Sequence, residues 1–152
     1  MGEPARFRLK VRHYEVDDYG HVNHAHYVHY LETARVEALD ALGLGLREMR
    51  RHGLMIVAAE LTVKYHSPAG PSDVLEIVTH IRELRGARTL WVQEVRDAIS
   101  GRLVASAEVT GAFMTDTGRP ARAPALFHER LASLHIPDDS SPPAATMSPP
   151  RQ

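Results

Sequence analysis

Two carboxylates, Asp17 and Asp18, stand just before Gly20, and four histidines follow at His21, His24, His26 and His29. A carboxylate can attack an electrophilic carbonyl or take a proton from a water beside it. Gly20 permits the tight or left-handed backbone that a turn at Asp17-Asp18-Tyr19-Gly20 needs. If a helix begins just after this turn, its first N–H groups are unpaired and sit at the positive end of the dipole. An acid facing such an oxyanion site is the minimal kit for acyl transfer. Without further context, Asp17 reads first as a turn residue or a helix cap. Asp18 is expected to turn outward, since neighbouring side chains diverge in an extended turn.

The histidines need a separate weighing. With His13, this stretch holds five of the ten in the chain. Metal ligation is the sharp reading, but no H-E-x-x-H pattern occurs and there is no cysteine, so no metal is expected. His24 reads as a catalytic partner of Asp17, His24 or His26 as a polar wall of the site, and His29 as exposed. Glu32 and Glu37 are alternative carboxylates on what reads as a solvated helix face.

These residues need elements to hold them. Phe7, Leu9 and Val11 alternate with polar residues, the period of a half-buried strand. From Asn23 the period changes. Tyr27, Tyr30, Leu31, Ala34, Ala38, Ala41 and Leu42 recur at spacings of three and four, which predicts a long helix with Asn23 as its N-cap and Gly43 as its stop. Its length is about 28 Å at about 1.5 Å per residue. Glu32 and Arg35 are expected to pair across one turn of its surface. Four strands are predicted next. Met55 to His66 carries Ala59, Leu61, Val63 and Tyr65 on one face. Val74 to Leu84 carries Leu75, Ile77 and Ile81. Thr89 to Arg96 holds Trp91, Val92 and Val95, and Arg102 to Thr115 alternates through Ala105, Val109 and Phe113. Trp91 and Phe113 read as core. A short helix starts near Pro124, with Phe127, Leu131 and Leu134 on its apolar side. The order predicts an α+β domain, an antiparallel sheet wrapped around one long helix. One sheet face would stay uncovered, which points to a homo-oligomer, a dimer or tetramer.

Composition narrows the rest. The chain has 152 residues, 43% of them hydrophobic, which suits one domain with its own core. The domain is expected over residues 5–135. Residues 136–152 hold five of the ten prolines and almost no large apolar side chain, and are expected to be a disordered tail. A formal charge of −1 argues against nucleic acid as a partner. No apolar run approaches the length of a membrane span, and the N-terminus lacks the apolar core of a signal peptide, so a cytoplasmic protein is expected. Zero cysteine excludes disulfides, thiolate zinc sites and a cysteine nucleophile.

The pattern D-x-x-G-x-V-x-x-x-x-Y, running from Asp17 through Gly20 and Val22 to Tyr27 and followed by Ala34-Arg35, resembles hotdog-fold thioesterases of the 4-hydroxybenzoyl-CoA thioesterase-like group. The stretch from Glu60 to Ala69 is similar to the acyl-ACP and acyl-CoA thioesterases of that group. The resemblance spans Phe7 to Leu131. It implies an acyl-CoA or acyl-carrier-protein thioester as substrate and no cofactor. It implies Asp17 as nucleophile or general base, backbone N–H groups around His24 as the oxyanion site, and Tyr27 in the acyl pocket. Gly20 and Asn23 would shape the substrate site. It also implies a site at a subunit interface, with Arg88 and Thr89 where relatives contact the CoA arm. Arg82 and Arg85, close to Arg88 in sequence, would either meet CoA phosphates or end a solvated strand. Two rivals stand beside this reading: an enoyl-thioester hydratase or dehydratase, which needs an acid–base pair such as Asp17 with His24, and a non-catalytic CoA-binding module.

Overall fold

The computed structural model describes residues 2–138. The expected tail therefore lies almost wholly outside the described residues. Strand β1 (Ala5–Lys10) leads through one 3-10 turn (His13–Glu15) to the central helix α1 (His24–Ala41). A short helix α2 (Leu46–Arg51) follows. Then come β2 (Leu54–Tyr65), β3 (Val74–Arg85), β4 (Arg88–Asp97) and β5 (Leu103–Thr115), and the closing helix α3 (Ala125–Leu131). The five strands form one sheet in the order β1-β3-β4-β5-β2, and every neighbouring pair is antiparallel. No described helix is long and apolar enough to cross a membrane.

Helix α1 begins and ends where its caps dictate. The Asn23 side chain accepts the Ala25 N–H at 3.0 Å, so one orphan donor of the first turn is satisfied. Gly43 adopts φ +70°, a left-handed conformation that stops the helix at low cost to glycine alone. Tyr27, Tyr30, Leu31, Ala34 and Ala38 are buried against the sheet face that carries Leu75, Ile77, Val95, Ala105 and Val109. A second patch of core forms where α3 lays Phe127 and Leu131, and the 3-10 turn after it (Ala132–Leu134) lays Leu134, on Trp91 and Phe113. Each large side chain buried in this way contributes about 1.5–3 kcal/mol relative to exposure.

Several details depart from the expected pattern. The register of β2 shifts between Ala58 and Glu60. That bulge leaves Ala59 out of the ladder, so Ile56 and Ala58 share the helix-side face with Leu61, Val63 and Tyr65. Helix α2 has no sequence counterpart in the reading above. Arg35 does not pair with Glu32 at contact distance; it turns inward and donates to Gln93 Oε1 at 2.8 Å. The uncovered outer face of the sheet is polar and crossed by ion pairs such as Arg82–Glu108 and Arg6–Glu76. Exposed apolar surface gathers instead along α1 and the edge strand β2, at Val36, Val57, Leu61 and Tyr65.

Gly111 shows how tightly this sheet is filled. A methyl group there would lie 2.5 Å from Thr89 Oγ1 and 3.3 Å from Trp91 Nε1. The Trp91 indole donates to that same Thr89 hydroxyl at 2.9 Å, and all three residues are buried. Neither neighbour can yield without losing this bond. Gly111→Ala is expected to destabilise the fold by about 1–3 kcal/mol, or roughly 3–9 °C in Tm, measured by thermal unfolding. An unchanged Tm would show that the sheet accommodates the methyl.

Candidate active site

Residues 16–22 form a miniature hairpin at the start of α1. Val16 and Val22 make its antiparallel bridge. The Asp17 N–H donates to the His21 carbonyl at 2.8 Å, and the Gly20 N–H to the Asp17 carbonyl at 3.0 Å. Gly20 takes φ +79°, where a side chain would be strained. The turn folds around the Asp17 carboxylate. Its Oδ1 accepts from the Tyr19 N–H at 2.9 Å and, more weakly, from the His21 N–H at 3.3 Å. Its Oδ2 has no hydrogen bond among the described residues. One oxygen therefore fixes the side chain and the other stays open to the cleft. Asp18 is exposed, as expected.

The hairpin is tied to its surroundings at both ends. The Val22 N–H donates to the Ala69 carbonyl and the Asn23 N–H to the Glu15 carbonyl, both at 2.9 Å. Asn23 thus acts as cap and anchor. Nearly every N–H around the turn is engaged, but the His24 N–H, the first of α1, has no partner among the described residues. It is an orphan donor at the positive end of an 18-residue helix.

Asp17, His21, His24, Tyr27, Tyr65 and His66 line one open cleft of about 380 Å³. Tyr27 is buried, with its ring edge-on to Tyr30 and Tyr65 at centroid distances of 5.8 and 5.5 Å. Burial pushes its phenol above the ordinary value, so it stays neutral. The Tyr65 hydroxyl donates to the His24 carbonyl at 3.0 Å and pins the first turn of α1 to the end of β2. His24 is exposed and stands edge-on to Tyr65; it makes no hydrogen bond to Asp17 among the described residues. His66 shares a hydrogen bond of 2.8 Å with Ser106. His26 faces His29 on the helix rather than the cleft. No group of three His, Asp or Glu among the described residues could hold a metal.

Arg88 and Thr89 are not brought to this cleft within one copy. Arg88 pairs with Ala112, and Ala112 with Val57, whereas the cleft lies beside Tyr65 at the other end of β2. Eight residues of strand span about 26 Å. Thr89 is fully buried and supports Trp91.

Three contributors are not assigned to the site by sequence. Tyr65 and His66 belong to the stretch that resembles the thioesterases, but they reach the site from the far end of a strand, and no local spacing marks them as its lining. The third is Glu15, whose carboxylate is only 4% exposed. It accepts the Arg12 N–H at 2.7 Å, meets the Arg12 guanidinium at 3.3 Å, and lies beside the buried Tyr30 hydroxyl. Burial alone would raise its pKa. The hydrogen bond from the Arg12 backbone, the Tyr30 hydroxyl beside the carboxylate and the Arg12 charge outweigh it and hold the carboxyl below its ordinary 4.5. A lowered folded-state pKa means that ionised Glu15 stabilises the fold above the ordinary value. That contribution is lost as pH falls through the folded-state value. Glu15→Gln is expected to lower stability at pH 7 by about 1–3 kcal/mol. Wild type should lose more stability than the variant between pH 7 and the acid side of pH 4.5, measured by urea unfolding. Equal pH dependence in the two proteins would remove this role.

The element order, sheet order and single helix start facing a carboxylate turn define a hotdog-fold domain. The profile of the Thioesterase-like superfamily matches residues 11–133. The chain belongs to the Thioesterase-like superfamily. It is 33% identical over 103 residues to the long-chain acyl-CoA thioesterase FadM of Escherichia coli, covering 68% of this chain and 77% of that one. It is 28% identical over 140 residues to a chloroplastic acyl-acyl carrier protein thioesterase of Arabidopsis thaliana, covering 92% of this chain and 74% of that one. A crystal structure of a hypothetical protein from Thermus thermophilus superposes with TM-score 0.79 at 31% identity, covering 86% of this chain and 99% of that one.

Proposed function

We propose that this chain hydrolyses acyl-CoA or acyl-carrier-protein thioesters to a free acid and a thiol, with Asp17 as the reacting carboxylate. The observation that carries this is the pairing of Asp17, with one oxygen held and one open, and the unpartnered His24 N–H at the start of α1. The relatives named above act on thioesters of the same pantetheine chemistry, one on CoA and one on carrier protein.

The chemistry needs no metal. The thioester carbonyl oxygen gains negative charge as its carbon is attacked. The His24 N–H and the helix dipole stabilise that charge where it develops. Asp17 either attacks the carbon itself or takes the proton of an attacking water. In the first route the C–S bond breaks, the thiolate leaves and takes a proton, and water then cleaves the acyl–aspartyl anhydride. In the second, water adds directly and the thiolate leaves as the tetrahedral intermediate collapses. Gly20 and Asn23 shape the turn and the cap, and Tyr27 with Tyr65 offers an aromatic wall to the acyl group. The hydratase reading loses support from the missing hydrogen bond between His24 and Asp17.

Thiol release from a panel of acyl-CoA substrates tests the reading. Asp17→Asn keeps the acceptor oxygen for Tyr19 while removing the charge. It is expected to lower kcat by about 10²–10⁴ with little change in KM. Full activity in this variant would remove Asp17 from the mechanism. Absence of thiol release from wild type across CoA and carrier-protein substrates would overturn the enzyme itself.

A further inference from the structure

The first turn of α1 is the part of the helix that packing holds least. His24 and Ala25 are exposed, and the first side chain of the helix to reach the core is Tyr27. Helix ends fray where burial does not hold them. Yet this turn carries the unpartnered N–H that faces the developing oxyanion in the reaction proposed above.

Its peptide groups are held unevenly. In the Asn23–His24 peptide the carbonyl accepts the His26 N–H at 3.0 Å, and the N–H is the open donor. The His24–Ala25 peptide is held at both ends. Its N–H donates to Asn23 Oδ1 at 3.0 Å, and its carbonyl accepts the Tyr65 hydroxyl at 3.0 Å. The bonds to Asn23 are local and move with the turn. The Tyr65 bond comes from 41 residues away. Among the described residues it is the one hydrogen bond that reaches residues 24–26 from another strand or helix.

Tyr65 has a firm base from which to hold that turn. It ends β2 in register with Ala105 of β5, and the chain beyond stays attached, since the His66 and Ser67 N–H groups both donate to the Val104 carbonyl. Its ring stands edge-on to Tyr27 at 5.5 Å and to His24 at 6.4 Å, which sets its direction. We propose that Tyr65 is a positioning residue for thioester hydrolysis: its hydroxyl fixes the peptide next to the oxyanion donor and so sets where the His24 N–H points. The inference rests on the reaction proposed above. An oxyanion donor is effective only at about 2.7–3.1 Å from the place where the charge develops. Peptide groups are planar, so with the His24–Ala25 plane fixed, only the two rotatable bonds at the His24 Cα separate it from the plane that bears the donor. Without the hydroxyl, the His24 carbonyl takes a water and the turn is held by its own local bonds. A residue that only walls the cleft acts by contact with bound substrate and shows in KM. A residue that aims the oxyanion donor acts on the transition state and shows in kcat.

Tyr65→Phe in the full chain keeps the ring and removes the hydroxyl. Tyr65 is 51% exposed, so the freed carbonyl meets water and the variant is expected to keep the Tm of wild type. With the acyl-CoA that wild type turns over fastest, kcat is expected to fall about three- to tenfold while KM stays the same. A second measurement follows the reacting carbonyl. Asp17→Asn and the double variant Asp17→Asn, Tyr65→Phe are loaded with the same acyl-CoA, isotope-labelled at the thioester carbon, and its carbonyl band is compared by difference infrared spectroscopy. A hydrogen bond from the His24 N–H lowers the frequency of that band. Loss of the hydroxyl is expected to move it back toward the frequency of the free thioester. A role in stability alone would leave the band where it is. An unchanged band, a kcat equal to that of wild type, or an effect confined to KM would each overturn the proposal. The two readings fail separately. No thiol release from wild type would sink the reaction and this inference with it, whereas an active wild type matched by Tyr65→Phe would sink this inference alone.

Discussion

The Asn23 N–H donates to the Glu15 carbonyl, and one atom chain further on the Asn23 side chain caps α1. The rest of the cleft hangs on that junction. It makes the end of the Asp17 hairpin and the beginning of the helix the same residue. The helix is placed by burial, since Tyr27, Tyr30 and Leu31 lie in the core. Their transfer from water is worth several kcal/mol, against about 1 kcal/mol for a cap or a single hydrogen bond. Packing therefore decides where the helix start lies. The small interactions decide what shape the hairpin takes in front of it. The carboxylate and the orphan N–H come from two segments, but the junction gives them one rigid frame.

Buried polar groups support that frame at two depths. Glu15 sits behind the hairpin, held by Arg12 and lying beside Tyr30 of the helix. Gln93 sits behind the middle of the helix and links Leu31 and Arg35 to the sheet. Each is a costly group to bury and is tolerated because its partners are in place. Gln93 acts across elements distant in sequence. It resists sliding of α1 along the sheet, a motion to which apolar contacts alone are more forgiving.

Much of this was legible in the residues. The changes of period at Asn23 and again at Met55 mark α1 and β2, and strict alternation marks β3 and β5, because both signals are local. The Asp17 turn was legible for a different reason: carboxylate, glycine and helix start fall within seven residues. What the sequence hid is what depends on partners far along the chain. The β2 bulge answers to its pairing with β5, and no residue type announces it. The inward turn of Arg35 needs Gln93, 58 residues away, and a local rule of helix pairs favoured Glu32 instead. Glu15 reads as one more acid in a polar stretch until Tyr30 closes over it.

The position of Arg88 follows the same logic at a larger scale. Within one copy it belongs to the end of the sheet beside Val57 and Ala112, far from the cleft beside Tyr65. Thr89, next to it, is buried and bonded to Trp91, so that end of β4 is committed to the core within one copy. Antiparallel register decides this, because the neighbours of a residue across the sheet are set by pairing and not by its distance along the chain.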